Sequence, residues 1–316
     1  MPAGGRRPCP PVAGDPDAMP TQREIITKIR RVRIRTQQLV NTLLAGEYAS
    51  AFQGHGIEFS EVRPYAEGDD VRLIDWNVTA RMNSPYVKEY IEERELKIYL
   101  LVDISPSEDF GSIGMLKRDL ITEFAATLAW LGISRNDKVG LTLFSDRIEK
   151  CIPPRKGKRQ LARIIEALLF QEPTGSGTSV ETAIAYLGRV AKRRGIVFII
   201  SDFITLEDLS RPFRILSLKH DVVLVRLKDR WESELPKVGL VEVEDPETGE
   251  VLLVDTSDPF VRKEYSDLRA QLNDILTRAR NQAGLDIVEL NTGEPFLHPL
   301  LQFLRRKRTK RRIKTG

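Results

Sequence analysis

Cysteine is nearly missing from this 316-residue chain: Cys9 and Cys151 are its two copies, far apart. No CxxC pair and no Cys/His cluster occurs, which excludes a disulfide framework and a structural zinc site and points to a reducing compartment. Long apolar runs are missing too. None approaches the roughly 18–20 residues that span a bilayer. The longest, around Ile98–Val102 and Ile196–Ile200, have the length of buried strands. The first twenty residues, MPAGGRRPCPPVAGDPDAMP, lack the apolar stretch of a secretory signal and read as a disordered extension, with Met19 as an alternative start. A cytoplasmic location is expected. A broad basic face is absent as well. The net charge is +4, yet the last twelve residues carry eight basic side chains, leaving 41 basic against 45 acidic residues upstream, a net of −4. A mildly acidic body argues against an extended nucleic-acid surface.

What is present is patterned. Residues 21–45 place Ile25, Ile29, Val32, Leu39, Leu43 and Leu44 at mostly helical spacing, predicting a basic amphipathic helix that Gly46 would cap. Residues 46–95 crowd glycine, aromatic and charged residues into what reads as short strands and tight turns. From Leu96 the pattern turns regular. Strands are expected at Leu96–Ile104, Ile196–Asp202, Asp221–Leu227 and Leu285–Leu290. A hairpin-like pair is expected at Lys138–Phe144 and Arg147–Ile152, and another around DPETGE within Leu240–Val254. Helices are expected at Ile113–Leu131, Gln160–Phe170, Val180–Arg193, Leu206–Leu218, Pro259–Ala283 and Pro295–Arg306. Strands alternating with helices imply a mainly parallel α/β sheet covered on both faces.

In open α/β sheets, sites form beyond the carboxyl ends of the strands. There the sequence offers Asp103-Ile104-Ser105-Pro106-Ser107 after one strand and Ser201-Asp202 after another. The loop Thr174-Gly175-Ser176-Gly177-Thr178-Ser179 lies between them in the chain. Hard oxygen donors with little charge suit a Mg²⁺ ion that keeps some of its water.

Asp103, Ser105 and Ser107 match the DxSxS motif of von Willebrand factor A-type domains, Thr178 matches that family's threonine loop, and Asp202 its last acidic loop. Together they resemble a metal-ion-dependent adhesion site. The upstream run GHGIEFSEVRPYAEGDDVRLIDWNVTAR resembles the signature of the domain-of-unknown-function 58 family, in which such a block precedes the A-type domain. The resemblance implies a doubly wound, mainly parallel α/β fold with an N-terminal helix and a small β-rich extension. The division expected is a disordered extension over 1–20, helix and family-specific block over 21–95, the A-like domain over 96–304 and a basic tail over 305–316. It further implies Mg²⁺ or Mn²⁺ held by Asp103, Ser105, Ser107, Thr178 and Asp202, with one position left for a carboxylate from a protein partner. A MoxR-type AAA+ ATPase is the partner the family suggests. Two residues depart from the commonest pattern: Pro106 lies inside DxSxS, and Glu108 stands where a small or apolar residue is usual. Glu108 removes no ligand but alters the field at the metal or caps the following helix.

Within the upstream block, Arg63, Asp69, Asp70, Arg72, Asp75 and Arg81 can form Arg–carboxylate pairs, with Tyr65 and Trp76 as packing anchors. That block either braces the sheet edge or binds a partner. His55, between two glycines, is read as a turn histidine over a ligand.

Catalysis is not expected. A phosphotransferase of the haloacid dehalogenase type needs a second carboxylate two residues after its nucleophilic Asp, and that position is Ser105. Neither His55, His220 nor His298 accompanies a nucleophile elbow, and no Walker A run occurs. The basic tail leaves an alternative open, binding of nucleic acid or an anionic membrane surface by charge. It has no aromatic residue to stack on bases, so sequence-specific nucleic-acid recognition is not expected.

Overall fold

The structure, a computed structural model, describes Val32 and residues 45–52, 58–82, 84–91, 96–111, 116–233, 235–244 and 251–315. The expected extension over 1–20, most of the 21–45 helix, and His55 lie outside the described residues. Helix α1 (Ala45–Phe52) opens the continuous part. Gly46, expected to cap a helix, lies inside this one. Tyr48, Ala51 and Phe52 turn inward from it and are buried, which recurs at the three- and four-residue spacing of a helix face.

A small block follows: strand β1 (Glu58–Pro64), a 3-10 turn at Val71–Leu73, helix α2 (Trp76–Met82) and strand β2 (Tyr86–Ile91), with β1 and β2 antiparallel. The Arg–carboxylate pairing is present in part. Arg63 forks onto Asp69 through Nη1 and Nη2 at 2.7 and 2.8 Å. Asp70 and Asp75 instead accept backbone N–H bonds at the starts of the 3-10 turn and α2. Trp76 is 70% exposed, so it is not the packing anchor expected of it.

Beyond the block the chain alternates: β3 (Lys97–Asp103), α3 (Lys117–Ser134), β4 (Lys138–Phe144), β5 (Ile148–Arg155), α4 (Lys158–Phe170), α5 (Val180–Val190), β6 (Ile196–Ser201), α6 (Ser210–Lys219), β7 (Asp221–Lys228), α7 (Arg230–Ser233), β8 (Leu240–Glu244), β9 (Val251–Asp255), α8 (Pro259–Ala283), β10 (Asp286–Asn291) and α9 (Leu297–Thr315). Six strands form one sheet in the order β10-β7-β6-β3-β4-β5. All neighbours are parallel except the β4–β5 hairpin at one edge. β3 and β6 are the central pair because their sequences, KIYLLVD and IVFIIS, are apolar on both faces.

The two-residue alternation of β3 divides the core. Ile98, Leu100 and Val102 face one layer with side chains from α1, α3, α4 and α9. Tyr99 and Leu101 face the other, with side chains from α5, α6 and α8. On α3, Leu120, Phe124, Leu128 and Leu131 are all buried, each side chain contributing about 1.5–3 kcal/mol. Helix α8 carries its own boundaries: Asp258 accepts from Phe260 N, Pro259 takes the first turn, and Gly284 ends it at φ 66°. The chain goes from β3 to β4 and β5 on one side, then crosses to β6, β7 and β10 on the other. This is the doubly wound α/β class expected, and its winding reverses between β3 and β6.

The basic run from Arg305, set apart as a tail by composition, is helical through Thr315. It continues α9, and Lys307 and Lys310 pair with Asp221 and Asp286 on the sheet. Arg305 and Arg308 pair with Glu47 of α1.

Candidate metal centre at the sheet switch point

Asp103 is the last residue of β3, and Asp202 is the first after β6. The two parallel strands pair in register through Val102 and Ile200, so both carboxylates emerge at the crevice where the winding reverses. Both are buried. One oxygen of Asp103 accepts from the backbone N–H of Ser105 at 2.9 Å, the other from Ser201 Oγ at 2.8 Å. Ser201 Oγ in turn accepts from the N–H of Phe203, whose φ of 54° swings the chain sharply after Asp202.

The turn after β3 is a 3-10 helix, Pro106–Asp109, with Pro106 in its first position, where a missing N–H costs nothing. It carries Glu108 inward to full burial. Glu108 Oε1 accepts from the backbone N–H of Asp202 at 3.0 Å, tying the two strand ends together, while Oε2 has no hydrogen-bond partner. Carboxylate oxygens of Asp103, Glu108 and Asp202 lie within 4.8 Å of one another. Ser105 and Ser107 sit beside them with their hydroxyls 3.1 Å apart.

Thr178 lies in a loop held from the neighbouring strand end. Glu149 of β5 accepts from Ser145 Oγ at 2.6 Å, from the N–H groups of Thr174 and Gly175 at 2.9 Å each, and from Thr174 Oγ1 at 2.7 Å. The N–H of Ser179 donates to Ser145 O at 2.9 Å, and its hydroxyl caps α5 by accepting from Thr182 N–H. Thr178 stands half-buried between these fixed points. Of the five residues expected at a metal, the geometry thus gathers Asp103, Ser105, Ser107 and Asp202 at one crevice. Thr178 sits on a loop clamped at the end of β4.

Four further participants were not picked out from the sequence as members of the site. Ser201 orients Asp103, and Glu149 clamps the threonine loop. The other two form an ion cluster. Lys117, at the start of α3, is fully buried, with Nζ 2.7 Å from Asp202 Oδ2, 2.6 Å from Glu232 Oε1 and 3.9 Å from Glu108 Oε2. A signal for Lys117 was present: a cation in the first turn of a helix opposes the helix dipole, so it wants nearby carboxylates. Glu232 follows the end of β7, where the strand-end rule also points.

The electrostatics are those of a crevice short of positive charge. Burial, then the charge of Asp202, push the Asp103 carboxyl up to about 7 against the hydrogen bonds of Ser105 and Ser201. Burial and Asp202 likewise raise Glu108 despite Lys117, and burial raises Glu232. Burial pulls the Lys117 ammonium down, but Asp202, Glu108 and Glu232 outweigh it and hold the group protonated. Hard oxygens short of positive charge fit a small divalent cation. Glu149, by contrast, is held down at about 2, its four hydrogen bonds outweighing its desolvation.

The chain is 31% identical over 287 residues to an uncharacterized protein of Mycobacterium tuberculosis, covering 90% of each. It is similar to the conserved hypothetical protein BatB from Bacteroides thetaiotaomicron, at 12% identity and TM-score 0.43 over 68% of this chain and 99% of that one. It is also similar to the VWA domain of SpRpn10, at 8% identity and TM-score 0.36 over 66% and 94%. No described helix is long and apolar enough to cross a membrane. Residues 61–274 match the family model described as protein of unknown function DUF58, and the chain belongs to that family.

Proposed function

We propose that this chain is a non-catalytic protein-binding adaptor that engages its partner through a divalent cation, Mg²⁺ or Mn²⁺, at the β3–β6 crevice. One observation carries the reading. Three buried carboxylates converge at the switch point of the sheet, and one of them, Glu108, has an oxygen with no hydrogen-bond partner. The ion would be held by Asp103 and Asp202 with the hydroxyls of Ser105, Ser107 and Thr178, and Glu108 beside them. Bound there, it would offer a coordination position to a carboxylate oxygen from outside the chain. The family resemblance makes a MoxR-type AAA+ ATPase the first partner to test, with the adaptor delivering a client to it. The cytoplasm is the compartment this pairing requires.

Lys117 is held as an ammonium and supplies neither a nucleophile nor a base. Four of the eight basic residues of the run, Arg305, Lys307, Arg308 and Lys310, already meet Glu47, Asp221 and Asp286, which leaves less of its charge for nucleic acid or membrane.

The test is a titration of a MoxR-type ATPase from the same genome against the full chain in Mg²⁺ and in EDTA. Asp103→Asn, which keeps the shape but removes a charge, is titrated in parallel. Binding lost in EDTA and in Asp103→Asn supports the reading. Equal binding in all conditions overturns the metal dependence, and no binding at all removes this ATPase class as partner.

A further inference from the structure

The metal crevice already contains a cation of the protein's own. Lys117 Nζ is fully buried, reached from α3 across the mouth of β6, and it contacts Asp202 and Glu232 directly with Glu108 at the edge of reach. Asp202 is the residue in common: it belongs both to the ammonium cluster and to the group of three carboxylates that could hold an ion. We propose that Lys117 is a tethered counter-ion sharing this crevice with the divalent cation, and that its charge sets how weakly that cation is held.

The charge balance argues for sharing, with neither cation displacing the other. Asp103, Glu108, Asp202 and Glu232 bring four potential negative charges against a single ammonium in contact. Arg226 adds a longer-range charge from β7, where it pairs in register with Ser201. A dication plus Lys117 comes closer to balance than either alone. The Oε2 atom of Glu108, buried and without a hydrogen-bond partner, faces Lys117 Nζ only at 3.9 Å, which leaves it open to a second cation.

The physical consequence is a weaker, more exchangeable ion. Charges that share one carboxylate in a crevice of effective dielectric about 20 repel strongly enough to change affinity by about tenfold or more. A site tuned this way fills and empties with the free cation concentration, and a partner carboxylate adds the negative charge that favours the filled state. This rests on the metal-site reading above.

The experiment is Mn²⁺ titration of the metal-stripped full chain, followed by electron paramagnetic resonance and calorimetry. Variants are Lys117→Met, Glu232→Gln and the double Lys117→Met/Glu232→Gln. Lys117→Met should bind Mn²⁺ about tenfold or more tightly than the parent. The double variant, which restores the parent's net charge, should return to within about threefold of it. If Lys117→Met fails to fold without metal, the double variant and Glu232→Gln still differ by the ammonium alone, and the double must bind about tenfold more tightly. Equal or weaker binding on loss of the ammonium, in a parent that binds Mn²⁺, overturns the inference and leaves the metal site standing. Binding by the Lys117 variants but not by the parent supports the inference and overturns the metal-dependent function. Binding by none of them overturns both.

Discussion

Lys117 Nζ and Asp202 Oδ2 lie 2.7 Å apart on side chains that are both buried, one at the start of α3 and one at the end of β6. The pair fastens the first helix of the doubly wound sheet to the strand on the far side of β3. Breaking such a pair from one side leaves a charge without a partner in low dielectric, at a cost of about 3–5 kcal/mol. Lys117→Ala strands both Asp202 and Glu232, so the metal-free variant should lose stability in that range. Urea denaturation in EDTA measures it. A loss under about 1 kcal/mol would mean the carboxylates find other partners.

A second prediction concerns the loop that carries Thr178. A Cβ built on Gly175 would lie 1.9 Å from Asp146 Oδ1 and 2.4 Å from Ser145 Oγ. Ser145 is fully buried and hydrogen-bonded to Glu149, so it has little room to retreat. Gly175→Ala should therefore push the 174–178 loop off its clamp and cost about 1–3 kcal/mol. Metal-dependent partner binding should weaken with it. A variant with the parent's melting temperature and affinity would show that the loop position is not set here.

The same clamp predicts a pH dependence. The Glu149 carboxyl sits at about 2 in the folded protein against an ordinary value of 4.5. The folded state thus binds that proton less readily than the unfolded chain, and the stabilisation is complete above about 4.5. It declines as pH falls toward 2, where the folded carboxylate protonates. Glu149→Gln should flatten that part of the stability curve and cost stability at neutral pH. Melting curves of parent and variant between pH 2 and pH 6 that fall in parallel would assign the acid loss to other carboxylates.

Ser201 gives a test on the strand end itself. Its hydroxyl donates to Asp103 and accepts from Phe203 N–H. Ser201→Ala leaves both buried groups short of a partner, each costing about 1–3 kcal/mol. The urea midpoint should fall, and Mn²⁺ affinity with it, because Asp103 loses the bond that aims it. Unchanged affinity would show Asp103 is oriented by Ser105 alone.

Much of this was legible in the sequence. The apolar runs around Ile98–Val102 and Ile196–Ile200 have the length of buried strands, and the rule about strand ends leads directly to Asp103 and Asp202. Lys117 and Glu232 were harder to see because they meet through the fold: 115 residues separate them, and no local pattern encodes a contact of that range. Gly46 misled for a different reason. Glycine ends many helices, but Gly46 lies in the first turn of α1, whose Tyr48, Ala51 and Phe52 pack on the core. Trp76 misled because aromatic residues are usually anchors, whereas here the helix turns it to solvent.

The basic end of the chain yields the last prediction, and it reverses what composition alone suggests. A run of eight basic residues without acids should repel itself and stay solvated. Instead Lys307 is only 11% exposed, with Nζ 2.6 Å from Asp221 Oδ1 and 3.3 Å from Asp286 Oδ2. The same ammonium lies 5.2 and 5.7 Å from the ring centres of Phe52 and Phe303. Two aromatic faces and two carboxylates converge on it, joining α1, α9 and the starts of β7 and β10. Partly buried contacts of this kind are worth about 1–2 kcal/mol each. Deleting residues 305–316 also removes the Glu47 pairs and leaves Phe303 in a fraying last turn. The deletion should therefore cost about 2–4 kcal/mol and lower the melting temperature by several degrees. Lys307→Met keeps the stem but not the charge, so it should recover part of that loss and show a weaker salt dependence than the parent. A truncated chain that melts with the parent would mean that these charges are spectators and that the run is a solvated tail after all.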